Sequence, residues 1–249
     1  MKICIAQTHP IKGDILNNIE IHKKLISLSL QNHADLIVFP ELSLTGYEPE
    51  LAKALAMTKD DSRLDDFQKI SNENTIIIAV GLPIKHDAGI CISMIIFQPQ
   101  LPRKIYSKNH LHPGEEHYFV PGKNLAPITF KNNKIAFAIC YEVSIPEHAK
   151  DVYHADATVY IASVLNSVNG VDKDINLISN TSKTYGLIAV MANYVGHSGG
   201  YNCAGKSSIW NTKGQLIEQL DQTHQGIAIV DTDTFKTIKT QLNNTTTNA

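Results

Sequence analysis

The sequence has no apolar run near the roughly 20 residues a bilayer-spanning helix needs, which argues against a membrane protein. It also has no CxxC pair: Cys4, Cys91, Cys140 and Cys203 stand far apart, a spacing that fits neither a zinc ribbon nor a disulfide framework. All four are therefore expected as thiols in a reducing compartment. An excess of one charge is missing as well. A net charge of −2 with both signs spread along the chain leaves no electrostatic footprint for nucleic acid or an anionic membrane. The opening MKICIAQTHPIKGD holds an apolar stretch too short for the core of a signal peptide, so the chain reads as cytoplasmic. No repeat, low-complexity linker or break in composition divides it. With 43% apolar and 18% charged residues it has the make-up of an ordinary globular protein, read as one α/β domain over residues 1–249 with a frayed Asn- and Thr-rich tail from 242 to 249.

The pattern along the chain alternates strands and helices. Lys2 to Ala6 reads as a strand, Ile15 to Leu30 as a helix capped by Asp14 with apolar Leu16, Ile19, Leu25, Ile26 and Leu28, and Asp35 to Phe39 as a strand that breaks at Pro40. A helix from Ser62 to Asn72, capped by Ser62, precedes a strand from Thr75 to Val80 closed by Gly81. Strands follow at Ile90 to Phe97 and Arg103 to Tyr106. In the second half, Lys134 to Ile139 and Ala157 to Ile161 read as strands around a short helix starting near Pro146. A helix from Asp172 to Tyr185 leads into the strand Leu187 to Ala192. Ser207 to Trp210, Gln215 to Glu218 and Gly226 to Val230 then suggest a terminal meander. Two stacked sheets flanked by helices are the expected outcome.

Polar residues follow three of these strands where a buried core would not want them. Cys140 ends the apolar run Ile135 to Ile139 and is followed by the turn-prone stretch Tyr141 to Glu147, which would deliver a thiol to the mouth of a sheet. Glu41 follows Leu36 to Pro40 in the same manner. Lys108 comes just after Tyr106, and Glu115 lies in the same segment, YSKNHLHPGEEHYFVPG. A thiol, two carboxylates and an ammonium at one edge of an α/β sheet make a workable site for nucleophilic chemistry. Each has a plainer reading: a structural thiol, a carboxylate at a helix start, a solvated lysine, an acidic pair Glu115-Glu116 in a loop.

Together, FPELSLTGY, YSKNHLHPGEEHYFVPG and AICYEVSIPE resemble, in that order, the three signature segments of the nitrilase superfamily of carbon–nitrogen hydrolases. The resemblance runs from Lys2 to about Asp231 and takes in VMANYVG and GKSSIWNTKG. It implies a four-layer αββα sandwich, an amidase-like activity without a cofactor, and catalytic Glu41, Lys108 and Cys140. A second carboxylate is implied in the loop after the lysine, and counting back from Pro121-Gly122 selects Glu115 over Glu116. In the chemistry so implied, Glu41 takes the thiol proton, Lys108 and the backbone N–H of Tyr141 stabilise the developing charge, and Glu115 holds Lys108. Glu142, beside the nucleophile, either touches the substrate or holds the turn through backbone hydrogen bonds. A homodimer and a small-molecule amide partner are implied too.

The chain departs from the family pattern at Ser144, where CYDLRFPE-like members carry arginine, and at Thr181 to Tyr185, where an RAxEN-like stretch is usual. These departures leave the substrate open among ω-amides, short aliphatic amides and N-carbamoyl amines, with nitriles least favoured. Two rival readings stand beside this one. A metal hydrolase would use His110, His112, Glu115, Glu116 and His117, although Pro113-Gly114 disfavours an HExxH-type helix. A catalytically silent interaction module on the same fold is the other. The loop Asn166 to Asp172 either rims the pocket or is a plain connection.

Overall fold

The structure, a computed structural model, describes residues 1–123 and 126–242; of the tail expected to fray, residues 243–249 lie outside the described residues. The first half carries β1 (Lys2–Gln7), α1 (Ile15–Gln31), β2 (Leu36–Val38), α2 (Ala52–Leu55) and α3 (Asp65–Asn74). It continues through β3 (Ile77–His86), β4 (Gly89–Phe97) and β5 (Lys104–Ser107). Next come β6 (Ile128–Phe130), β7 (Asn133–Ile139), α4 (Pro146–His154), β8 (Val159–Ser163), α5 (Val171–Tyr185) and β9 (Ile188–Ala192). The chain then runs through β10 (Val195–Ser198), β11 (Tyr201–Ala204), β12 (Ser208–Trp210), β13 (Leu216–Gln219), β14 (Gly226–Asp231) and β15 (Thr237–Gln241).

Two sheets stack through the period-2 alternation of their strands. One has seven strands in the order β15-β14-β1-β2-β3-β4-β5, the other six in the order β13-β12-β9-β8-β7-β6. Ile3, Ile5, Leu36, Val38, Ile77 and Ala79 of the first meet Ile135, Phe137, Ile139, Val159, Ile161 and Val190 of the second in one buried cluster. The intervening residues face outward onto helices: Cys4, Ala6, Ile37 and Ile78 pack with Leu25 of α1 and Phe67 of α3, while Ala136, Ala138, Tyr160 and Ala189 pack with Val152 of α4 and Ile178 of α5. Four layers, αββα, result. Every strand near the middle is covered on both faces, which explains its near-continuous apolar sequence. Among the described residues, no helix is long and apolar enough to cross a membrane.

Several elements differ from the pattern in the sequence. β3 does not stop at Gly81 but continues to His86, and the glycine has a different purpose: a Cβ there would lie 2.4 Å from Leu42 N and 2.5 Å from Pro40 O. The turn bearing Glu41 thus rests directly on the strand. In α1, Leu16 is 65% exposed, and the buried stripe is completed instead by Asn18 and His22. Asp61 rather than Ser62 accepts from the Arg63 N–H, and α3 begins only at Asp65 after a 3-10 turn. The expected meander is split: β12 and β13 pair in the second sheet, whereas β14 crosses to the first and pairs with β1. Side-chain bonds from Gln7 to the carbonyls of Asp221 and His224 hold that crossing. β6, the β10–β11 hairpin and β15 have short or polar sequences without a strong strand signal.

Candidate active site

Glu41 leaves the end of β2 on a turn fixed from several sides. Its side chain is fully buried and its carbonyl accepts the Tyr194 hydroxyl. Two residues on, Ser43 Oγ accepts from Gly81 N and lies 2.9 Å from His22 Nε2. His22 Nδ1 faces the Asn18 carbonyl at 2.6 Å, so Nδ1 donates there and Nε2 accepts from the serine. Burial lowers the His22 pKa to about 3, which keeps this imidazole neutral.

Lys108 follows β5, with its N–H on Ile92 O at 2.9 Å and its carbonyl taken by Gly122 N at 2.8 Å. Gly122 permits that contact, because a Cβ on it would fall 2.1 Å from Ser107 Cβ. The lysine is wholly buried. Its Nζ donates to Glu41 Oε1 and to Glu115 Oε1, both at 2.8 Å. Burial acts to lower its pKa, but the charges of Glu41, Cys140 and Glu115 reverse this and raise it, so the ammonium stays protonated.

Glu115 sits in a 3-10 turn, held by Lys108 and by the Tyr47 hydroxyl on Oε1 and by His112 N on Oε2 at 2.7 Å. Glu41 has a different second oxygen. Its Oε2 is buried and has no hydrogen-bond partner among the described residues. Burial is the largest influence on this carboxyl, opposed by Lys108 and reinforced by Glu115, and its pKa rises to about 7. Such a carboxyl exchanges a proton near neutrality.

Cys140 directly follows β7 with φ of 46°, in the left-handed region that costs a non-glycine residue backbone strain, and opens the 3-10 turn to Ser144. It is half-buried and its thiol faces Leu165 O at 3.7 Å. Burial, then the Glu41 charge, pushes the thiol pKa up against the opposing pull of Lys108. At rest the sulfur is therefore protonated. A cavity of about 250 Å³ opens onto Cys140, Glu41 and Glu115, with Tyr141 and Ser144 from the turn and Asn166 and Asp174 farther along the chain.

The structure thus brings Glu41, Lys108, Glu115, Cys140 and Tyr141 together. Glu142 it turns away. That carboxylate is fully buried behind the site, accepting from Asn109 N and Ile139 N at 2.8 Å each and from the Tyr106 hydroxyl at 2.6 Å. It holds the segment after Lys108 against the strand before Cys140, as the turn-holding reading expects. Ser144 lines the cavity and donates to Tyr141 O at 2.7 Å. In the Thr181–Tyr185 stretch, Ser182 is buried and joins α5 to Leu187 O and Asn211 O at 2.7 Å each.

The ligands of the metal reading part company. Glu115 is committed to Lys108 and Tyr47, Glu116 turns back to Gly114 N at 2.7 Å, and His117 lines a separate groove with Lys53 and Lys85. Among the described residues, no three His, Cys, Asp or Glu side chains converge as a metal site. Tyr47 and Tyr194 escaped the sequence reading, although both lie inside quoted motifs. Tyr194 has apolar neighbours in the chain, where a hydroxyl needs a buried partner, whereas Tyr47, between Gly46 and Glu48, carries no such signal. The loop from Asn166 does rim the cavity.

Comparison with known proteins gives one consistent result. The carbon-nitrogen hydrolase family model matches residues 2–240. An (R)-stereoselective amidase of Pseudomonas sp. is 25% identical over 79% of this chain and 72% of its own. A glutamine-dependent NAD(+) synthetase of Thermotoga maritima is 23% identical over 97% of this chain, which spans only 44% of that protein's length. Among solved structures, a cysteine-to-alanine mutant of the amidase from Nesterenkonia sp. AN1 in complex with butyramide superposes with a TM-score of 0.84 at 21% identity, covering 93% of this chain and 90% of the other.

Proposed function

This chain belongs to the carbon–nitrogen hydrolase family, and from that membership we propose that it hydrolyses a small amide or N-carbamoyl compound through a thioester on Cys140. The observation that carries the reading is the unpartnered Glu41 Oε2 in a cavity shared with the thiol. A protonated thiol beside a carboxyl that exchanges its proton near neutrality suits concerted deprotonation and attack better than a standing thiolate.

Sγ attacks the carbonyl carbon while its proton passes to Glu41. Negative charge forming on the carbonyl oxygen is met by the Lys108 ammonium and by the Tyr141 N–H, at the start of a 3-10 turn where backbone donors have no partner within the turn. As the tetrahedral species collapses, Glu41 returns the proton to the leaving nitrogen. Ammonia or amine departs and the acyl group stays on sulfur. Water then attacks the thioester, giving one proton to Glu41; the second collapse breaks the C–S bond, the sulfur regains that proton, and the acid leaves. Glu115, bound by Lys108, Tyr47 and His112, fixes the ammonium. The amidase relative supports an amide as the substrate.

The test is intact-mass analysis during turnover of a panel of amides and carbamoyl compounds, scored for ammonia release with Cys140→Ala as blank. An acyl adduct localised to Cys140, and no release by the variant, are expected. Turnover by Cys140→Ala at the wild-type rate sinks the proposal.

A further inference from the structure

We infer that Asp174 binds an ammonium group at the far end of the substrate's acyl chain, so that the amides this site prefers are cationic. The inference rests on the amide-hydrolase reading above and extends it to the substrate's identity. Asp174 lies on the first turn of α5 and lines the same cavity as Cys140 and Glu41. It is half-buried, and its environment lacks the one thing a half-buried carboxylate wants. Its neighbour Asp172 pairs with Lys206 at 2.9 Å, whereas Asp174 forms no ion pair among the described residues. Burial raises its pKa, with the Asn166 side chain and then the charge of Lys173 opposing. A ligand that brings a positive charge relieves this cost; a neutral ligand deepens it.

The charges around the cavity point the same way. Glu41, Glu115, Asp174 and Lys173 line it together, with Lys108 bridging the first two. Lys108 offsets Glu115 and the proton-exchanging Glu41, which leaves Asp174 and Lys173 as the charges that the far end of a ligand meets. Lys173 is exposed on the rim, where water screens it more than Asp174. Size also matters. At about 250 Å³ the cavity falls below the roughly 300–1,000 Å³ typical of drug-sized ligands, so it suits a substrate with a short acyl chain. With a primary amide only ammonia leaves, and the rest of the molecule occupies this space.

Three probes of similar length separate the possibilities: ω-aminopentanamide, its neutral counterpart hexanamide, and anionic glutaramate. Ammonia release should show a kcat/KM for the cationic amide about tenfold or more above hexanamide, the size of one well-placed ion pair. In Asp174→Asn the ratio of the two should fall to about one, and Asp174→Lys should move the preference to glutaramate. A wild-type preference for glutaramate, which would assign recognition to Lys173, overturns the inference; so does a ratio unmoved in Asp174→Asn. Calorimetric binding of the same probes to Cys140→Ala reads recognition without chemistry. Equal binding of all three there defeats the Asp174 assignment alone, while ordered binding without any turnover by wild-type protein defeats the hydrolase reading instead.

Discussion

Tyr47 donates its phenolic hydroxyl to Glu115 Oε1 at 2.8 Å, on the same oxygen that receives Lys108. The residues are 68 positions apart and meet only because the turn after β2 and the loop after β5 close over one another. Tyr47→Phe removes one donor from a charged acceptor, a bond worth about 1.5–3 kcal/mol. We expect kcat/KM to fall by about tenfold, with a melting temperature lower by a few degrees. Steady-state kinetics and thermal melts together check this; a lowered melting point with unchanged kinetics would assign the bond to stability alone.

The raised pKa of Glu41 fixes the direction of a pH profile. Its base form is the deprotonated one, so kcat/KM should climb as pH rises through about 7 and level off above it. Glu41→Gln keeps the shape and the contact with Lys108 but removes the proton acceptor, and should cost about 10²–10⁴ in kcat. A profile flat from pH 5 to 9, or a Gln variant within a few-fold of wild type, contradicts Glu41 as the base.

Lys108 neutralises two buried carboxylates at once. Lys108→Met leaves both unpaired and should lower unfolding stability by about 3–5 kcal/mol as well as abolishing turnover. Adding Glu115→Gln to that variant should recover part of the stability and none of the activity, a non-additivity read by urea denaturation of the single and double variants.

Glu142 touches no part of the cavity, yet it joins Asn109 to Ile139 and so sets the distance between the lysine and cysteine segments. Glu142→Gln offers one good acceptor where two are needed. The expected result is a kcat lowered about tenfold or more with KM nearly unchanged, and stability reduced by about 1–3 kcal/mol. A change confined to KM would instead place this side chain against the substrate.

Much of the site is visible in the sequence because strand ends are visible. Apolar runs that stop abruptly at Glu41 and Cys140, and the polar residue directly after β5, mark three residues that do converge. What escaped depends on contacts between segments distant in the chain. Tyr47 is unremarkable until Glu115 stands beside it, and Tyr194 until its hydroxyl finds the carbonyl of Glu41. Likewise Asp174 looks like any acidic residue in a first helical turn, and only the cavity distinguishes it from Asp172, which has a lysine. The outer elements were harder for another reason. β6 and β15 lie at sheet edges, where one side of the strand meets water and the apolar pattern fades.

Gly81 carries no functional group, yet the turn holding Glu41 is seated on the space its missing side chain leaves. Tolerance to mutation should therefore not map onto chemistry. In an exhaustive substitution scan scored for activity, this position in the middle of a strand should prove as intolerant as the proposed base itself, and alanine, the smallest possible insult, should already be enough to displace the carboxylate.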